Sequence, residues 1–362
     1  MDQQKLGRVL TAMKQAGMPQ LVLSDTHSIA YLTGHYFYPG ERLLALCLYV
    51  DGNHKLVLNR LFPAPDDSDF TVVWYEDTQD SPAVLASCLN PQQICGIDKT
   101  FAAGFLLRLQ ELGAASRFVN GSLLLDAVRQ IKDEQEQEKM RVSSRLNDRV
   151  MEALIPLTAK GLTEEELTAR CRALYKEMGA DGVSFPPITS YGKNAADPHH
   201  EGDATHGKRG DCVVLDIGGM KDGYASDMTR TVFLGEVSPR AREIYEVVLE
   251  ANLRGIRAAK PGARMCDVDR AARDYITEKG FGPYFTHRTG HSIGMEDHEA
   301  GDVSGVNTAV IQPGQCFSVE PGIYIPEEGI GVRIEDLVLI TEDGCEVLNS
   351  YPKELTVLPF EE

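Results

Sequence analysis

One stretch of this chain narrows its possible folds more than any other: Val213-Val214-Leu215-Asp216-Ile217-Gly218-Gly219-Met220-Lys221-Asp222-Gly223-Tyr224-Ala225-Ser226-Asp227-Met228-Thr229-Arg230-Thr231. Two apolar runs flank a Lys-Asp-Gly turn, which predicts a β-hairpin, and an aspartate interrupts each run. With the turn centred between Lys221 and Asp222, Asp216 falls directly opposite Asp227 on one face of the sheet. The pattern recurs near the C-terminus. Phe317-Ser318-Val319-Glu320 and Ile330-Gly331-Val332-Arg333-Ile334-Glu335-Asp336 flank a second turn, and centring it between Glu327 and Glu328 sets Glu320 opposite Glu335.

Facing carboxylates inside apolar strands are costly. Like charges opposite one another destabilise a sheet, and a buried unpaired carboxylate either costs stability or gives up its charge. One such pair is most simply explained by carboxylates turned to solvent; two pairs on the same pattern favour a bound cation. The Gly-rich segment Thr289-Gly290-His291-Ser292-Ile293-Gly294-Met295-Glu296-Asp297-His298-Glu299 adds an imidazole to the set. Four carboxylates and one imidazole suit two hard or borderline divalent ions such as Mn, Co, Fe or Zn, with one or two carboxylates bridging. Such a centre predicts a metal-bridging hydroxide that attacks a carbonyl, the second ion stabilising the developing oxyanion.

Three other motifs carry no weight. Gly290-His291-Ser292-Ile293-Gly294 has the form of a serine-hydrolase elbow, but that motif needs a following helix and a histidine well downstream of an acid. The last histidine is His298, so a serine hydrolase is excluded. His298-Glu299 begins a zinc-protease motif, yet Asp302 stands where a second histidine is required. Gly329-Ile330-Gly331 lacks a βαβ setting for a dinucleotide.

The rest of the chain frames these segments. Leu6, Val9, Leu10 and Met13 have helical spacing, and Leu21-Val22-Leu23 reads as a strand. Leu43 to Val50 and Lys55 to Leu61 flank an Asp51-Gly52-Asn53 turn, Thr71 to Tyr75 and Gln93 to Ile97 are further strands, and Phe101 to Leu112 is a helix. This predicts a small N-terminal α/β domain with a mixed sheet and no reaction centre, its His27, His35 and His54 being surface or structural. From Asp126 to Thr158 the chain turns charged and helical, with Asp133 as cap and Glu136 in the first turn. Thr163 to Glu166 has capping-box spacing, and amphipathic helices follow near 239–259 and 266–279. Two similar halves, helices then strands, hint at pseudo-symmetry. The boundary falls near residue 128, giving domains 1–128 and 129–362.

The 362 residues, 43% hydrophobic and 25% charged, fit two globular domains. The longest apolar stretch, Leu43 to Val50, is far short of the roughly 20 residues of a membrane helix, and Met1-Asp2-Gln3-Gln4-Lys5 starts no signal peptide. A cytoplasmic location is expected, with no membrane association. Lys and Arg number 36 against 54 Asp and Glu, a net charge of −18 that repels phosphate backbones, so no nucleic-acid partner is expected. The 8 cysteines form no Cys-x-x-Cys pair and read as buried reduced thiols.

On these motifs the chain resembles the pita-bread metallopeptidases, in particular the Xaa-Pro dipeptidases (prolidases) and the related Xaa-Pro aminopeptidases. The likeness runs over almost the whole chain and implies an α+β fold: a creatinase-like α/β N-terminal domain, then a pita-bread catalytic domain. It implies Asp216, Asp227, His291, Glu320 and Glu335 as metal ligands, with Asp227 and Glu335 bridging two ions, Mn first among Mn, Co, Zn and Fe. Glu320 would serve as general acid/base. His199 and His298 match family histidines near substrate and the scissile carbonyl, and Arg333 and Tyr224 would hydrogen-bond ligands or substrate. His200 and His206 are assigned no role and are expected at the surface, as is Glu299 unless it supports its loop. Ser292 replaces a glycine common in the family.

The implied activity is hydrolysis of the Xaa-Pro bond of dipeptides, favoured by the short step from Glu320 to Glu335 and a compact N-terminal domain. The alternatives are an Xaa-Pro aminopeptidase acting on longer peptides, a metal-independent creatinase-like amidinohydrolase using His199, and a non-catalytic peptide-binding protein. A homodimer is also implied.

Overall fold

The computed structural model describes residues 1–64 and 69–360. It divides into two compact units, Met1–Arg129 and Gln130–Glu362.

The first unit is built on a mixed six-stranded sheet. Its central strand Gln20–Leu23 pairs antiparallel with Ala45–Tyr49 and parallel with Ile94–Ile97. The 51–53 turn closes the hairpin to Lys55–Asn59, with Gly52 and Asn53 at positive φ. Helix Gln3–Gln15 buries Leu6, Val9 and Met13, the stripe its spacing predicts. Val22, Cys47, Val57, Ile97 and Leu109 meet in one core. Short elements outside the sequence expectation include helices Thr26–Thr33, capped by Asp25, and Ser81–Ala86, capped by Asp80, and strand Arg117–Asn120.

In the second unit the sequence writes its helix starts plainly. α1 (Glu134–Leu154) and α2 (Glu164–Glu177) each open on a capping box, Asp133 with Glu136 and Thr163 with Glu166. α3 (Pro239–Ala258) and α4 (Met265–Glu278) follow. Strands β1 (Cys212–Ile217) and β2 (Met228–Leu234) are the middle of a four-stranded sheet. Alternation along β1 divides the core. Val213, Leu215 and Ile217 pack with Val150, Leu154, Leu167 and Tyr175 of α1 and α2, while Cys212 and Val214 pack with Val248, Ala251 and Ile276 of α3 and α4. A second sheet contains β3 (Gly290–Ser292), β4 (Cys316–Val319) and β7 (Asp336–Ile340), and β5 (Gly322–Ile325) with β6 (Ile330–Arg333) makes a two-stranded ribbon. A helix pair followed by a sheet thus occurs twice. All eight cysteines are unbridged, seven of them buried. No helix among the described residues is long and apolar enough to cross a membrane.

The two hairpins differ from expectation in one respect. Glu320 and Glu335 sit where one antiparallel register runs from β5/β6, with Gly322 opposite Arg333, into β4/β7, with Val319 opposite Asp336. They do oppose each other. In the first hairpin, however, Asp216 lies opposite Thr229, not Asp227, and Lys221 opposite Tyr224. The two-residue turn is Asp222-Gly223, both at positive φ (51° and 75°), so its centre is one residue later than the sequence expectation. Asp-Gly is the pair that a mirror-image turn of this kind demands. Asp227 occupies the break before β2, across from the break after β1.

One ion-pair network fastens the sheet behind the site. Arg230 of β2 donates to Asp336 (2.8 Å) and to the carbonyls of Glu335 (2.6 Å) and Tyr351 (2.7 Å), and Lys353 donates to the other Asp336 oxygen (2.6 Å). Burial opposes ionisation of Asp336, but Arg230 and Lys353 hold its carboxyl below the usual range. Removing one partner strands a buried charge. Asp336→Asn is therefore expected to cost about 3–5 kcal/mol, seen as a large drop in the urea midpoint; an unchanged midpoint would show that the network contributes nothing.

Candidate metal centre

Five carboxylates converge on one imidazole. Ligand-type atoms of Asp216, Asp227 and Glu335, of His291, Glu320 and Glu335, and of Asp227, His291 and Asp297 lie within 4.8 Å of one another in each set. His291 Nε2 is 3.4 Å from Asp227 Oδ2 and 3.5 Å from Glu320 Oε1. All six residues line a cleft of about 1040 Å³. Each reaches it from the end of a strand or a break beside one, where a side chain can leave the sheet plane. Gly290 makes the His291 approach possible: a Cβ there would lie 1.9 Å from the Ser318 carbonyl oxygen.

At two of the carboxylates, Asp216 and Glu335, one oxygen is tied and its twin is left bare. Arg333 Nη2 donates to Asp216 Oδ2 (2.6 Å), and Thr229 Oγ1 donates to Glu335 Oε2 (2.7 Å). Asp216 Oδ1, Asp227 Oδ1, Asp297 Oδ1 and Glu335 Oε1 are buried with no hydrogen-bond partner. Buried polar atoms are rarely left so. Burial, then the charges of Glu335, Asp297 and Asp216, raise Asp227 well above the carboxylate range. Burial, with Glu320 and Asp216 beside it, does the same to Glu335, and burial raises Glu320. Burial lowers His291 to about 4, so its ring is neutral; Nδ1 faces the Ser292 carbonyl at 3.3 Å, which leaves the Nε2 lone pair toward the carboxylates. With five carboxylates around one guanidinium, two divalent cations bring the ionised set to neutrality. Bare oxygens, a neutral imidazole and excess negative charge fit the metal pair that the donor chemistry implies.

The other sequence-selected residues fall into two groups. Arg333 is deep in the site and fully engaged, donating also to Thr229 (3.0 Å) and Tyr324 (2.7 Å). His199 and His298 line the cleft from its exposed rim, the His298 ring 4.0 Å from that of His291. Tyr224 is a correction: its hydroxyl donates to Glu136 of α1 (2.7 Å), and it does not line the cleft. His200 is another, because it is paired with the fully buried Glu164 (2.8 Å). Glu164 also accepts from the Tyr191 and Asp203 amides and from Asn194, tying down the segment that carries His199. Glu299 forms a buried ion pair with Lys132 (3.1 Å) and accepts from the Met295 amide. His206 is exposed and meets only the Gly161 carbonyl among the hydrogen bonds of the described residues.

Sequence reasoning passed over Asp297, His287, Tyr324, Thr229 and Ser318. Asp297 had the one usable signal, an acid beside His298 in the Gly-rich segment. The rest are recognisable only through tertiary contacts such as His287 Nε2 accepting from the Tyr324 hydroxyl (3.0 Å).

Comparison with known proteins agrees with this geometry. Residues 138–342 match the model of metallopeptidase family M24, and residues 5–131 match the creatinase/prolidase N-terminal domain. An uncharacterized peptidase of Staphylococcus aureus (strain MW2) is 34% identical, over 96% of this chain and 99% of its own length. The crystal structure of a dipeptidase from Pyrococcus horikoshii OT3 superposes with a TM-score of 0.91 at 33% identity, covering 98% of this chain and 100% of that one. An Xaa-Pro dipeptidase from Bacillus anthracis superposes at 0.89 with 31% identity, covering 98% and 99%.

The crowding makes a pH prediction. Burial, then Asp216 and Glu320, push Asp297 up to about 7. A folded-state value above the unfolded one stabilises the fold in acid, and that contribution is lost as the pH rises through about 7. Chelator-treated protein should therefore melt at falling temperature over roughly pH 4 to 7 and level off above it, and the stabilisation by added Mn²⁺ should grow over the same window. A Mn²⁺ effect that stays flat with pH would contradict this.

Proposed function

The chain belongs to metallopeptidase family M24, and from that premise we propose that it hydrolyses the bond between an N-terminal residue and proline, with Xaa-Pro dipeptides as the preferred substrates. The observation that carries the reading is the set of bare, buried carboxylate oxygens at the floor of a peptide-sized cleft. Asp216, Asp227, His291, Glu320 and Glu335 would hold two divalent ions, manganese first. When bound, such ions supply Lewis acidity to the scissile carbonyl and acidify the attacking water.

The chain's own residues do the remainder. Glu320 is held by the Ser318 hydroxyl at 3.1 Å and faces His291, where it can take a proton from water and return it to the proline nitrogen. Arg333 and Thr229 fix one oxygen each of Asp216 and Glu335, so these carboxylates keep their direction as charge moves. His199 and His298, at the rim, are positioned to hydrogen-bond the substrate or the oxyanion that forms from it. Phe185, Pro186, Pro187 and Ile188 give the cleft an apolar wall suited to a proline ring. Proline lacks the N–H that ordinary proteases grip, so a site that grips ring, amine and carbonyl instead can specialise in it.

Preference for dipeptides has its own support. Arg288 lines the cleft and has no hydrogen-bonded or ion-pair partner among the described residues. Its charge reaches Asp297 and His298. A free guanidinium at that place can read a terminal carboxylate one residue past the scissile bond, which longer peptides lack. The same reading takes 1–128 and 129–362 as the two domains, the cytoplasm as the location and a homodimer as the assembly.

Hydrolysis of Ala-Pro, Ala-Pro-Ala and Ala-Pro amide, with and without EDTA and added Mn²⁺, tests the proposal. Ala-Pro should be the best substrate, chelation should abolish its cleavage, and Mn²⁺ should restore it. Cleavage that survives exhaustive chelation would favour an amidinohydrolase-like mechanism through His199, and preference for Ala-Pro-Ala would mark an aminopeptidase. Glu320→Gln should lose about 10²- to 10⁴-fold in kcat while still folding. Arg288→Ala should lose about 10- to 100-fold in kcat/KM on Ala-Pro and little on the amide; equal losses on both would remove its assigned part.

A further inference from the structure

We propose that Asp297 is a protein ligand of the metal centre, completing with Asp227 and His291 a seat for one of the two ions. The inference rests on the metallopeptidase reading and extends it to a residue outside the five-ligand set. Its first support is distance: ligand atoms of Asp227, His291 and Asp297 lie within 4.8 Å of one another. Its second is the pattern of bare oxygens. Asp297 Oδ1 is buried without a donor, and so is Oδ1 of Asp227, whose side chain is only 5% exposed. Two carboxylates aimed at one point, each with an unsatisfied oxygen, describe a cavity for a cation.

The segment that carries Asp297 is held rigidly, so the approach is not the chance position of a mobile loop. Lys132 is 1% exposed and donates to Glu299, two residues on, at 3.1 Å. The second Glu299 oxygen accepts the Met295 amide (2.9 Å), and the Gly294 amide donates to the Glu296 carbonyl (3.0 Å). Gly294 packs so tightly on Glu299 that a Cβ would lie 2.6 Å from its carboxylate oxygens. The nearest basic group to Asp297 is the His298 ring, at 3.6 Å from Oδ2, beyond hydrogen-bonding distance. A fold that fixes an acid against another acid and leaves a buried oxygen of each without a donor leaves the counter-charge to a ligand.

With Asp297 the donor set becomes five carboxylates and one imidazole. So many hard oxygens favour ions that take five or six ligands, as Mn²⁺ does, over tetrahedral Zn²⁺.

Calorimetric titration of metal-free wild type, Asp297→Asn and Asp297→Ala with Mn²⁺, together with their metal-free melting temperatures and the visible spectra of their Co²⁺ forms, tests the inference. The expected result has two opposite signs. Both variants melt higher than wild type without metal, because a crowding charge is gone, yet one of two Mn²⁺ sites weakens about tenfold or more and the Co²⁺ bands change. A merely structural Asp297 gives lower metal-free melting temperatures with unaltered Mn²⁺ affinities and Co²⁺ spectra, and that outcome overturns the inference; two variants keep the answer independent of how either one folds. Wild type that cleaves no Xaa-Pro peptide while the Mn²⁺ loss persists overturns the substrate reading alone. Efficient Ala-Pro cleavage with unaltered Mn²⁺ binding overturns the role of Asp297 alone.

Discussion

The structure turns on mutual repulsion among carboxylates brought together at the end of two sheets. Asp216, Asp227, Glu320, Glu335 and Asp297 share one cleft, and the only guanidinium hydrogen-bonded to any of their carboxylates among the described residues is that of Arg333. Left alone, so much buried like charge drives protonation, and the upward displacement of Asp227, Glu335 and Asp297 expresses that pressure. The fold withstands it because other interactions are strong: a divided apolar core around β1, and the Arg230–Asp336–Lys353 network directly behind Glu335. Stability is held in the scaffold and given up at the centre, as expected of a site built to hold ions.

The layout assigns different work to the two charged layers. Arg333 and Thr229 take one oxygen from each of two carboxylates and orient the other toward the cleft. Behind the rim, Glu164 gathers donors from Tyr191, Asn194, His200 and Asp203, and so steadies the segment of His199. On the opposite side the Lys132–Glu299 pair steadies the segment of Asp297 and His298. Buried pairs of this sort add little net stability; their use here is position.

Much of this was legible in the sequence, and the misses have physical causes. Capping boxes at Asp133 and Thr163 mark helix starts because they satisfy orphan amides locally. The C-terminal hairpin gave up its register because one antiparallel register holds in both of its sheets, across the unpaired residues between them. The first hairpin did not: turn chemistry at Asp222-Gly223 moved the partner of Asp216 two residues along, to Thr229. Tyr224 was misassigned as a neighbour of the ligands, since nothing local reveals that its hydroxyl meets Glu136. His200 looked superficial for a related reason: its partner, Glu164, is distant in the chain. The six-residue helix Ser81–Ala86 and four-residue strand Arg117–Asn120 are too short to show a period.

Anomalous diffraction from crystals grown with Mn²⁺ addresses the central claim most directly. Two manganese peaks should lie among Asp216, Asp227, His291, Glu320 and Glu335, each touching oxygens that have no hydrogen-bond partner in the metal-free protein. A cleft without manganese, or manganese bound only at the surface, would contradict the account.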